Sequence, residues 1–301
     1  MPSLRAVLFN WVMRRTFRSK PMHLLDAKVL RQGADALAPK HPPAGVTREI
    51  IAAPVKGEWH RVVEAADGRT VLYLHGGGYV FGSPKSHSAF TFALAKEAYT
   101  EVFSLDYRLA PEHPFPAAVD DAVTAYEWLL AQGRDPARMV IGGDSAGGGL
   151  TLALLLSIKA RGLPMPAGAI LLSPWTDLAV TGASLDTSEK SDAMFRKVHI
   201  VEGRKRYLGG ADPTAPLASP LYADLAGLPP VLIFASENEV LRDDSTRLKE
   251  KLDKAGVESR LVMEKGLIHV WPIFTGRFPE AMKSTRDMAA FIEEHTGGKE
   301  S

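Results

Sequence analysis

Short apolar runs alternate with amphipathic stretches along most of the chain beyond residue 70. Each run is too short for a helix, and the runs lie at residues 71–74, 101–105, 139–141, 169–172, 231–234 and 260–263. The stretches between them have helical spacing and lie at residues 86–98, 117–131, 150–160, 245–255 and 280–294. This alternation predicts an α/β fold, with a mostly parallel sheet covered by helices on both faces. Ahead of it, residues 48–55 and 58–63 predict a hairpin at one edge of the sheet.

Two parts of the chain depart from the alternation. Residues 1 to about 40 have helical spacing, which the proline-rich segment 38–45 ends. Residues 180–220 are polar and irregular, with helical spacing around 194–208. We therefore expect two pieces appended to the α/β core, one at the N-terminus and one inserted after residue 180.

The composition of the 301-residue chain fits an ordinary globular protein with a packed core. The chain has 36 basic and 35 acidic side chains, a formal charge of +1 and no cysteine. The lack of cysteine excludes disulfides, thiolate metal sites and a cysteine nucleophile. The near-neutral charge argues against a nucleic-acid partner, because binding by counterion release favours a basic excess.

No segment of the sequence predicts a secretion signal or a membrane-spanning helix. The apolar run in residues 4–13 is short, contains Asn10, and is followed by arginines rather than a small-residue cleavage site. No window supplies the roughly 20 apolar residues of a transmembrane helix. We therefore expect a soluble, cytoplasmic protein without stable membrane insertion, and contact between the basic N-terminal helix and lipid stays an alternative.

A Gly-Asp-Ser-Ala-Gly motif at residues 143–147 joins the predicted strand 139–141 to the helical stretch that follows. Glycines on both sides of a serine permit the strained strand-to-helix turn of a nucleophile elbow, which presents the hydroxyl above the sheet. The alternative is a glycine-rich connection in which the serine only caps the helix. In the elbow interpretation, Ser145 is the candidate nucleophile.

A serine nucleophile needs a histidine to accept its proton and a carboxylate to orient that histidine. His269 follows the predicted strand 260–263 by a short loop, which puts it at the carboxyl end of the sheet. The two other histidines downstream of Ser145 are expected to be solvated. The acid should follow the strand 231–234, where Glu237 and Glu239 alternate onto the same side, so spacing leaves both open.

A His-Gly-Gly-Gly motif at residues 75–78 directly follows the predicted strand 71–74. Glycines let backbone N–H groups approach the oxyanion of a tetrahedral intermediate, and the N–H of Ala146 would be a further donor. A dinucleotide fingerprint is a weaker interpretation, because the third glycine, Gly82, comes one residue late. No phosphate-binding loop or helix-borne zinc motif occurs, so we expect no cofactor and no metal.

Five motifs in the same order resemble those of the bacterial hormone-sensitive-lipase-like (family IV) esterases, in the branch that carries Gly-Asp-Ser-Ala-Gly. They lie at residues 75–78, 106–116, 143–147, 173–177 and 267–271. The resemblance covers nearly the whole chain and implies an α/β-hydrolase fold with a helical cap. It divides the chain into an N-terminal cap segment at 1–45, a core at 46–180, a cap insertion at 181–220 and the rest of the core at 221–301.

The resemblance also implies roles for individual residues. Ser145 is the implied nucleophile and His269 the base. The segment 239–243 matches the family's acid motif with glutamate in place of aspartate, which favours Glu239 as the acid. The implied oxyanion hole is formed by Gly76, Gly77, Gly78 and Ala146. The implied supporting residues are His75 and Asp144, together with Asp106, Arg108 and Glu112, which are expected to brace the loops through buried hydrogen bonds.

These roles imply a serine carboxylesterase that hydrolyses small-molecule esters of short to medium acyl chain length through an acyl-enzyme. The resemblance also suggests a homodimer formed through the last strand of the sheet. Because a fold alone does not prove activity, three alternatives stay open. They are a catalytically weak member of the fold that binds a small molecule, a hydrolase of amides, lactones or acetylated sugars, and a membrane-associated lipase.

Overall fold

The computed structural model describes residues 1–62 and 68–297, and its centre is an eight-stranded sheet. The strands follow one another in the sheet in the order β1-β2-β4-β3-β5-β6-β7-β8. Strands β1, β2 and β4 pair antiparallel, whereas all other neighbours pair parallel. The strands are β1 Val46–Ile51, β2 Gly57–Val62, β3 Thr70–Leu74, β4 Glu101–Leu105, β5 Met139–Asp144, β6 Gly168–Leu172, β7 Val231–Ser236 and β8 Ser259–Glu264.

Helices cover both faces of this sheet, which confirms the α/β-hydrolase fold expected from the sequence. Alternate residues of β3 point to opposite faces: Leu72 and Leu74 join the core under α4, α5 and α8, and Val71 and Tyr73 join the core under α3 and α9. The helices are α1 Leu4–Thr16, α2 Ala27–Asp35, α3 Pro84–Ala98, α4 Ala117–Ala131, α5 Ala146–Arg161, α6 Ser184–Thr187, α7 Lys197–Leu208, α8 Arg242–Lys254 and α9 Pro279–Thr296.

The predicted hairpin forms the β1 edge of the sheet, but its first strand is displaced toward the N-terminus. Strand β1 ends at Ile51 instead of residue 55, ahead of Pro54, which has no backbone N–H to donate to a strand partner. Strand β2 ends at Val62, and the predicted strand end at residue 63 lies outside the described residues. Strand β8 is the opposite edge of the sheet, and the homodimer expected through it stays a prediction.

The N-terminal segment and the insertion contact each other. The guanidinium of Arg206 in α7 donates to the carbonyls of His23 and Leu25, and the rings of Phe17 and Phe195 pack edge to face at 5.7 Å. Helix α7 begins at Lys197, later than the predicted helical stretch at 194. The domain boundaries at residues 45, 181 and 220 stay predictions. Within residues 1–62 and 68–297, no helix is long and apolar enough to cross a membrane.

The register of the central strands positions the two glycine-rich motifs side by side. Leu74 at the end of β3 is paired with Gly143 near the end of β5. The His-Gly-Gly-Gly segment and the Gly-Asp-Ser-Ala-Gly segment therefore leave the carboxyl edge of the sheet at neighbouring positions. Ligands of parallel α/β folds collect at this edge.

Candidate active site

Ser145 occupies a strained turn between β5 and α5. Its φ of 52° and ψ of −118° lie in a region that residues with a side chain rarely adopt. The strand and loop beside it hold this conformation: the Ser145 N–H donates to the Leu172 carbonyl at 2.8 Å, and the Trp175 N–H donates to the Ser145 carbonyl at 2.9 Å. A Cβ atom at Gly147 would overlap the carbonyl of Leu74, so only glycine fits there. The turn therefore has the geometry of a nucleophile elbow.

A buried hydrogen bond joins His269 to Glu239. The Nδ1 atom of His269 lies 2.5 Å from Oε2 of Glu239, and each residue is only 1% exposed. The second carboxylate oxygen of Glu239 accepts the N–H of Ser236 at 2.9 Å. The other ring nitrogen of His269, Nε2, is buried without a hydrogen-bond partner among the described residues, and His269 and Ser145 line the same cavity. The imidazole therefore has one nitrogen fixed and one available to accept a proton.

The surroundings of His269 raise its affinity for a proton. Burial is the largest single influence and lowers the pKa of the ring, but the neighbouring carboxylates, Glu239 foremost, together outweigh it and raise the pKa above its usual 6.5. The Phe195 ring packs edge-on against the imidazole at 5.0 Å and an interplanar angle of 84°. A positive charge that forms on the buried His269 ring is thus stabilised by the buried carboxylate of Glu239.

Among the acidic residues that follow β7, Glu239 is the one that contacts His269. The side chain of Glu237 is exposed, and its N–H donates to the carbonyl of Glu264. Asp243 and Asp244 lie in the first turn of α8, where their carboxylates accept backbone N–H groups of residues 176, 177 and 184. Spacing alone could not distinguish Glu237 from Glu239, and the bend of the chain after Ser236 separates them.

Three backbone N–H groups stand free near the serine. Gly77 and Gly78 line the cavity with φ of 114° and 61°, and their N–H groups have no partner within the part of the chain that the structure describes. The N–H of Ala146, at the start of α5, is likewise free there. The expectation for Gly76 is wrong, because its N–H already donates to Oδ1 of Asp144 at 2.9 Å. Gly76 shapes the loop and is not free to bind an oxyanion.

The buried ring of His75 supports the glycine loop at residues 76–78. Burial lowers the pKa of the ring to about 3, so the ring is neutral, and its Nδ1–H donates a hydrogen bond to the carbonyl of Gly76 at 2.8 Å. The ring stacks on Tyr107 with centroids 4.2 Å apart, and the Tyr107 hydroxyl donates to the His75 carbonyl at 2.6 Å. Sequence reasoning missed Tyr107, although it lies within the motif at residues 106–116.

Asp144 connects the elbow to the oxyanion loop. Its Oδ1 atom accepts the Tyr73 hydroxyl at 2.7 Å as well as the Gly76 N–H, and Oδ2 lies 3.4 Å from Nε2 of His87. Burial disfavours the carboxylate, but His87 and these donors together hold the pKa of Asp144 below its usual 3.8. The charged side chain therefore fixes the distance between the serine turn and the glycine loop.

The structure corrects the expectation for Asp106, Arg108 and Glu112. All three side chains are exposed, so they do not form the buried hydrogen bonds predicted for them. Arg108 pairs with Asp121 at 2.7 Å. Glu112 pairs with Arg31 of α2 at 2.7 Å. Tyr107 of the motif is buried and the three charged side chains face solvent, because burial of an unpaired charge costs far more free energy than burial of an aromatic ring.

Asp192, in the insertion, is a further residue that sequence reasoning missed. Its buried carboxylate accepts the N–H groups of Met194 at 2.7 Å, Phe195 at 2.8 Å and Val240 at 2.9 Å. Burial raises its pKa despite these donors. Because Val240 follows Glu239 and Phe195 packs on His269, Asp192 fixes both neighbours of the His–Glu pair. A single aspartate in a polar segment gave no signal of this in the sequence.

The site opens into a mostly apolar cavity of about 450 Å³. The N-terminal segment and the insertion contribute apolar side chains to it, namely Phe9, Met13, Phe17, Met22, Leu30, Met194, Phe195 and Ile200. His199 also lines it and is half-buried, which corrects the expectation that this histidine is solvated, and burial lowers its pKa to about 4. Residues 1–62 and 68–297 contain no cluster of three or more histidine, cysteine or acidic side chains that could hold a metal ion.

Comparisons with known proteins agree with this architecture. A family model described as the alpha/beta hydrolase fold matches residues 71–273. A protein named Acetyl-hydrolase from Streptomyces hygroscopicus is 43% identical over 256 residues, which are 85% of this chain and 84% of that protein. A protein named Esterase from Acinetobacter venetianus is 37% identical over 284 residues, 93% of each chain.

Solved structures extend the likeness to the whole molecule. The crystal structure of an esterase from the bacterial hormone-sensitive lipase family superposes with a TM-score of 0.93 at 39% identity, covering 99% of this chain and 100% of that one. Three of the motifs that resemble this family contribute residues to one cavity in the fold, namely those at residues 75–78, 143–147 and 267–271. The chain therefore belongs to the α/β-hydrolase family and, within it, to the bacterial hormone-sensitive-lipase-like esterases, which are carboxylic ester hydrolases.

Proposed function

We propose that the protein hydrolyses small carboxylic esters through an acyl-enzyme on Ser145, with His269 as general base and Glu239 as the acid that orients it. The observation that carries this proposal is that the two ring nitrogens of His269 have different surroundings. Nδ1 of His269 is bonded to Glu239 at 2.5 Å, while Nε2 is free in the cavity that also contains Ser145. A neutral imidazole in this arrangement has its proton on Nδ1 and its lone pair on Nε2, as a general base requires.

In the first half of the reaction, the Ser145 hydroxyl attacks the ester carbonyl carbon and its proton passes to Nε2 of His269. The carbonyl oxygen becomes an oxyanion, which the N–H groups of Gly77, Gly78 and Ala146 bind. Loss of one such donor costs about 3 kcal/mol in other hydrolases. The intermediate collapses when the carbon–oxygen bond to the alcohol breaks and the alcohol oxygen takes the proton from His269.

In the second half, water replaces the alcohol. His269 removes a proton from the water as it attacks the acyl carbonyl, and the same N–H groups bind the second oxyanion. The carboxylic acid then leaves and Ser145 recovers its proton from His269. The Glu239 carboxylate stabilises the imidazolium that forms in both halves.

The apolar cavity supports acyl chains of short to medium length. A cavity of about 450 Å³ that is lined mostly by apolar side chains has room for a small ester and binds its acyl chain by burial of apolar surface. The relative named Acetyl-hydrolase is in keeping with the short end of this range. Acetylated sugars and lactones are also esters, and amides react through a similar tetrahedral intermediate, so a substrate panel separates these classes.

The test is kcat/KM for p-nitrophenyl esters of increasing acyl length, with the wild type, Ser145→Ala and Ser157→Ala. Ser157 is a buried serine of α5 that donates only to the carbonyl of Ala153, so it is a matched control. We expect Ser145→Ala to lower kcat by about 10⁶-fold and Ser157→Ala to leave it unchanged. Activity of Ser145→Ala near that of the wild type would refute the mechanism. Hydrolysis of amides in preference to every nitrophenyl ester would refute the substrate class, and a preference for acetylated sugars would refute the assignment to esters with apolar acyl chains of short to medium length.

A further inference from the structure

Helix α1 has two apolar faces, and only one of them packs against the protein. On the inner face, Phe9 and Met13 line the cavity, and the Phe9 ring contacts the rings of Phe274 and Phe278 at 5.0 and 5.4 Å. The outer face is formed by Leu4, Val7, Leu8 and Trp11, which share one side of the helix at spacings of three, four and seven residues. The fold leaves these four side chains largely exposed to solvent.

The outer face is unusually exposed for its apolar content. Leu4 is 88% exposed, Leu8 62% and Trp11 53%. Single exposed apolar residues are common on protein surfaces, but a row of them along about two turns of one helix marks an interaction surface. The helix itself is held in place by its other side, where the Asn10 side chain donates to the Gly266 carbonyl at 2.6 Å and Ser3 bonds to Glu280.

The charged side chains of the first 25 residues are all basic. Residues 1–25 contain no aspartate or glutamate, and their basic side chains are Arg5, Arg14, Arg15, Arg18 and Lys20. Arg5, Arg15 and Lys20 are exposed and form no ion pair with any residue that the structure describes. The Arg15 guanidinium lies over the Trp11 ring at 4.3 Å from its centroid, so charge and apolar surface are adjacent.

We infer that the outer face of α1 docks on an anionic phospholipid surface. An apolar row that contains tryptophan and is flanked by unpaired basic residues fits the boundary between acyl chains and anionic headgroups. A second copy of the chain fits poorly, because a twofold interface pairs the face with itself and would bring the same cations together. In the docked protein, the cavity would lie about one helix diameter, or roughly 10 Å, from the lipid surface. Apolar esters that partition into the lipid would then be close to the cavity.

The test is co-sedimentation of the full chain with vesicles, as phosphatidylcholine mixed with phosphatidylglycerol and as phosphatidylcholine alone. We expect binding to the mixed vesicles, loss of that binding at high salt, and little binding to phosphatidylcholine alone. Leu8→Asp should weaken binding at least tenfold, and Arg15→Gln about fivefold. The matched control is Ile50→Asp, because Ile50 is a 68% exposed apolar residue of β1 and lies outside α1.

Hydrolysis of soluble p-nitrophenyl acetate checks that each variant is folded, since neither Leu8 nor Ile50 lines the cavity. The Ser145→Ala variant should bind vesicles as the wild type does, so docking and catalysis are measured separately. Equal binding to both kinds of vesicle, no binding to either, or full binding by Leu8→Asp would overturn the inference. Self-association in lipid-free sedimentation that Leu8→Asp abolishes would assign the face to a second copy instead.

Discussion

The substitution Glu239→Gln tests the coupling between the acid and the imidazole. The two oxygens of Glu239 accept two donors, Nδ1–H of His269 at 2.5 Å and the N–H of Ser236 at 2.9 Å. A glutamine has only one oxygen, so in either orientation one buried donor faces the amide NH₂. If the NH₂ faces His269, the imidazole proton moves to Nε2, which then cannot accept the proton of Ser145. If it faces Ser236, the tautomer is kept but the negative charge is lost.

Both orientations lead to a large loss of activity. The corresponding change in another serine hydrolase lowers kcat about 10⁴-fold, which corresponds to about 5 kcal/mol of transition-state stabilisation, so we expect a loss of 10³- to 10⁴-fold here. The unsatisfied donor should also lower the free energy of unfolding by about 1–3 kcal/mol. The pH profile gives an independent sign: Glu239 raises the pKa of His269, so its neutralisation should move the acid limb of kcat/KM to lower pH.

The assay is steady-state hydrolysis of p-nitrophenyl acetate across the acid range, together with urea unfolding. Glu237→Gln is the matched control, because Glu237 is two residues away and exposed, and we expect its kcat/KM to stay within about twofold of the wild type. The reasoning fails if Glu239→Gln keeps a tenth or more of the wild-type kcat/KM. It also fails if Glu237→Gln is the more damaging change, or if the acid limb moves to higher pH.

Two further substitutions test residues found only in the structure. Tyr107→Phe leaves the His75 carbonyl without its hydrogen bond, so it should lower the free energy of unfolding by about 1–3 kcal/mol and also lower kcat. The control is Tyr126→Phe, which loses a hydrogen bond of 2.6 Å to a carbonyl far from the site and should leave kcat unchanged. Asp192→Asn has one acceptor oxygen where the two carboxylate oxygens accept three N–H groups, so it should cost about 1–3 kcal/mol in urea unfolding. Asp192→Asn should also lower kcat/KM, because Val240 would be held less firmly beside Glu239. Unchanged kinetics in both Tyr107→Phe and Asp192→Asn would contradict these positioning roles.

Much of the fold follows from local patterns in the sequence. The six apolar runs beyond residue 70 all form parallel strands. Strands inside the sheet, such as β3, β5, β6 and β7, are buried on both faces and are therefore apolar along most of their length, whereas the edge strand β8 is partly exposed. The hairpin was displaced, since an edge strand such as β1 is half exposed and its pattern defines its ends poorly. The start of α7 was also misplaced, because Asp192 binds the N–H groups of Met194 and Phe195 outside the helix.

The site was only partly predictable. The positions of the motifs after predicted strands placed Ser145 and His269 at one edge of the sheet, and in the structure both line the same cavity. Residues that act on backbone groups, such as Tyr107 and Asp192, depend on contacts between distant segments, and no local pattern encodes these contacts. The same limit explains the errors at Gly76 and Arg108, because a motif identifies residues without telling which groups are already bonded or which side chains face solvent.

The most direct test of the central claim is covalent labelling by a fluorophosphonate, followed by peptide mapping. Such a reagent reacts with a serine only when a neighbouring base activates it. We expect one adduct per chain, on Ser145, and at least about 10³-fold slower labelling in His269→Ala. An adduct on another residue, or labelling of Ser145 at the wild-type rate without His269, would contradict the account.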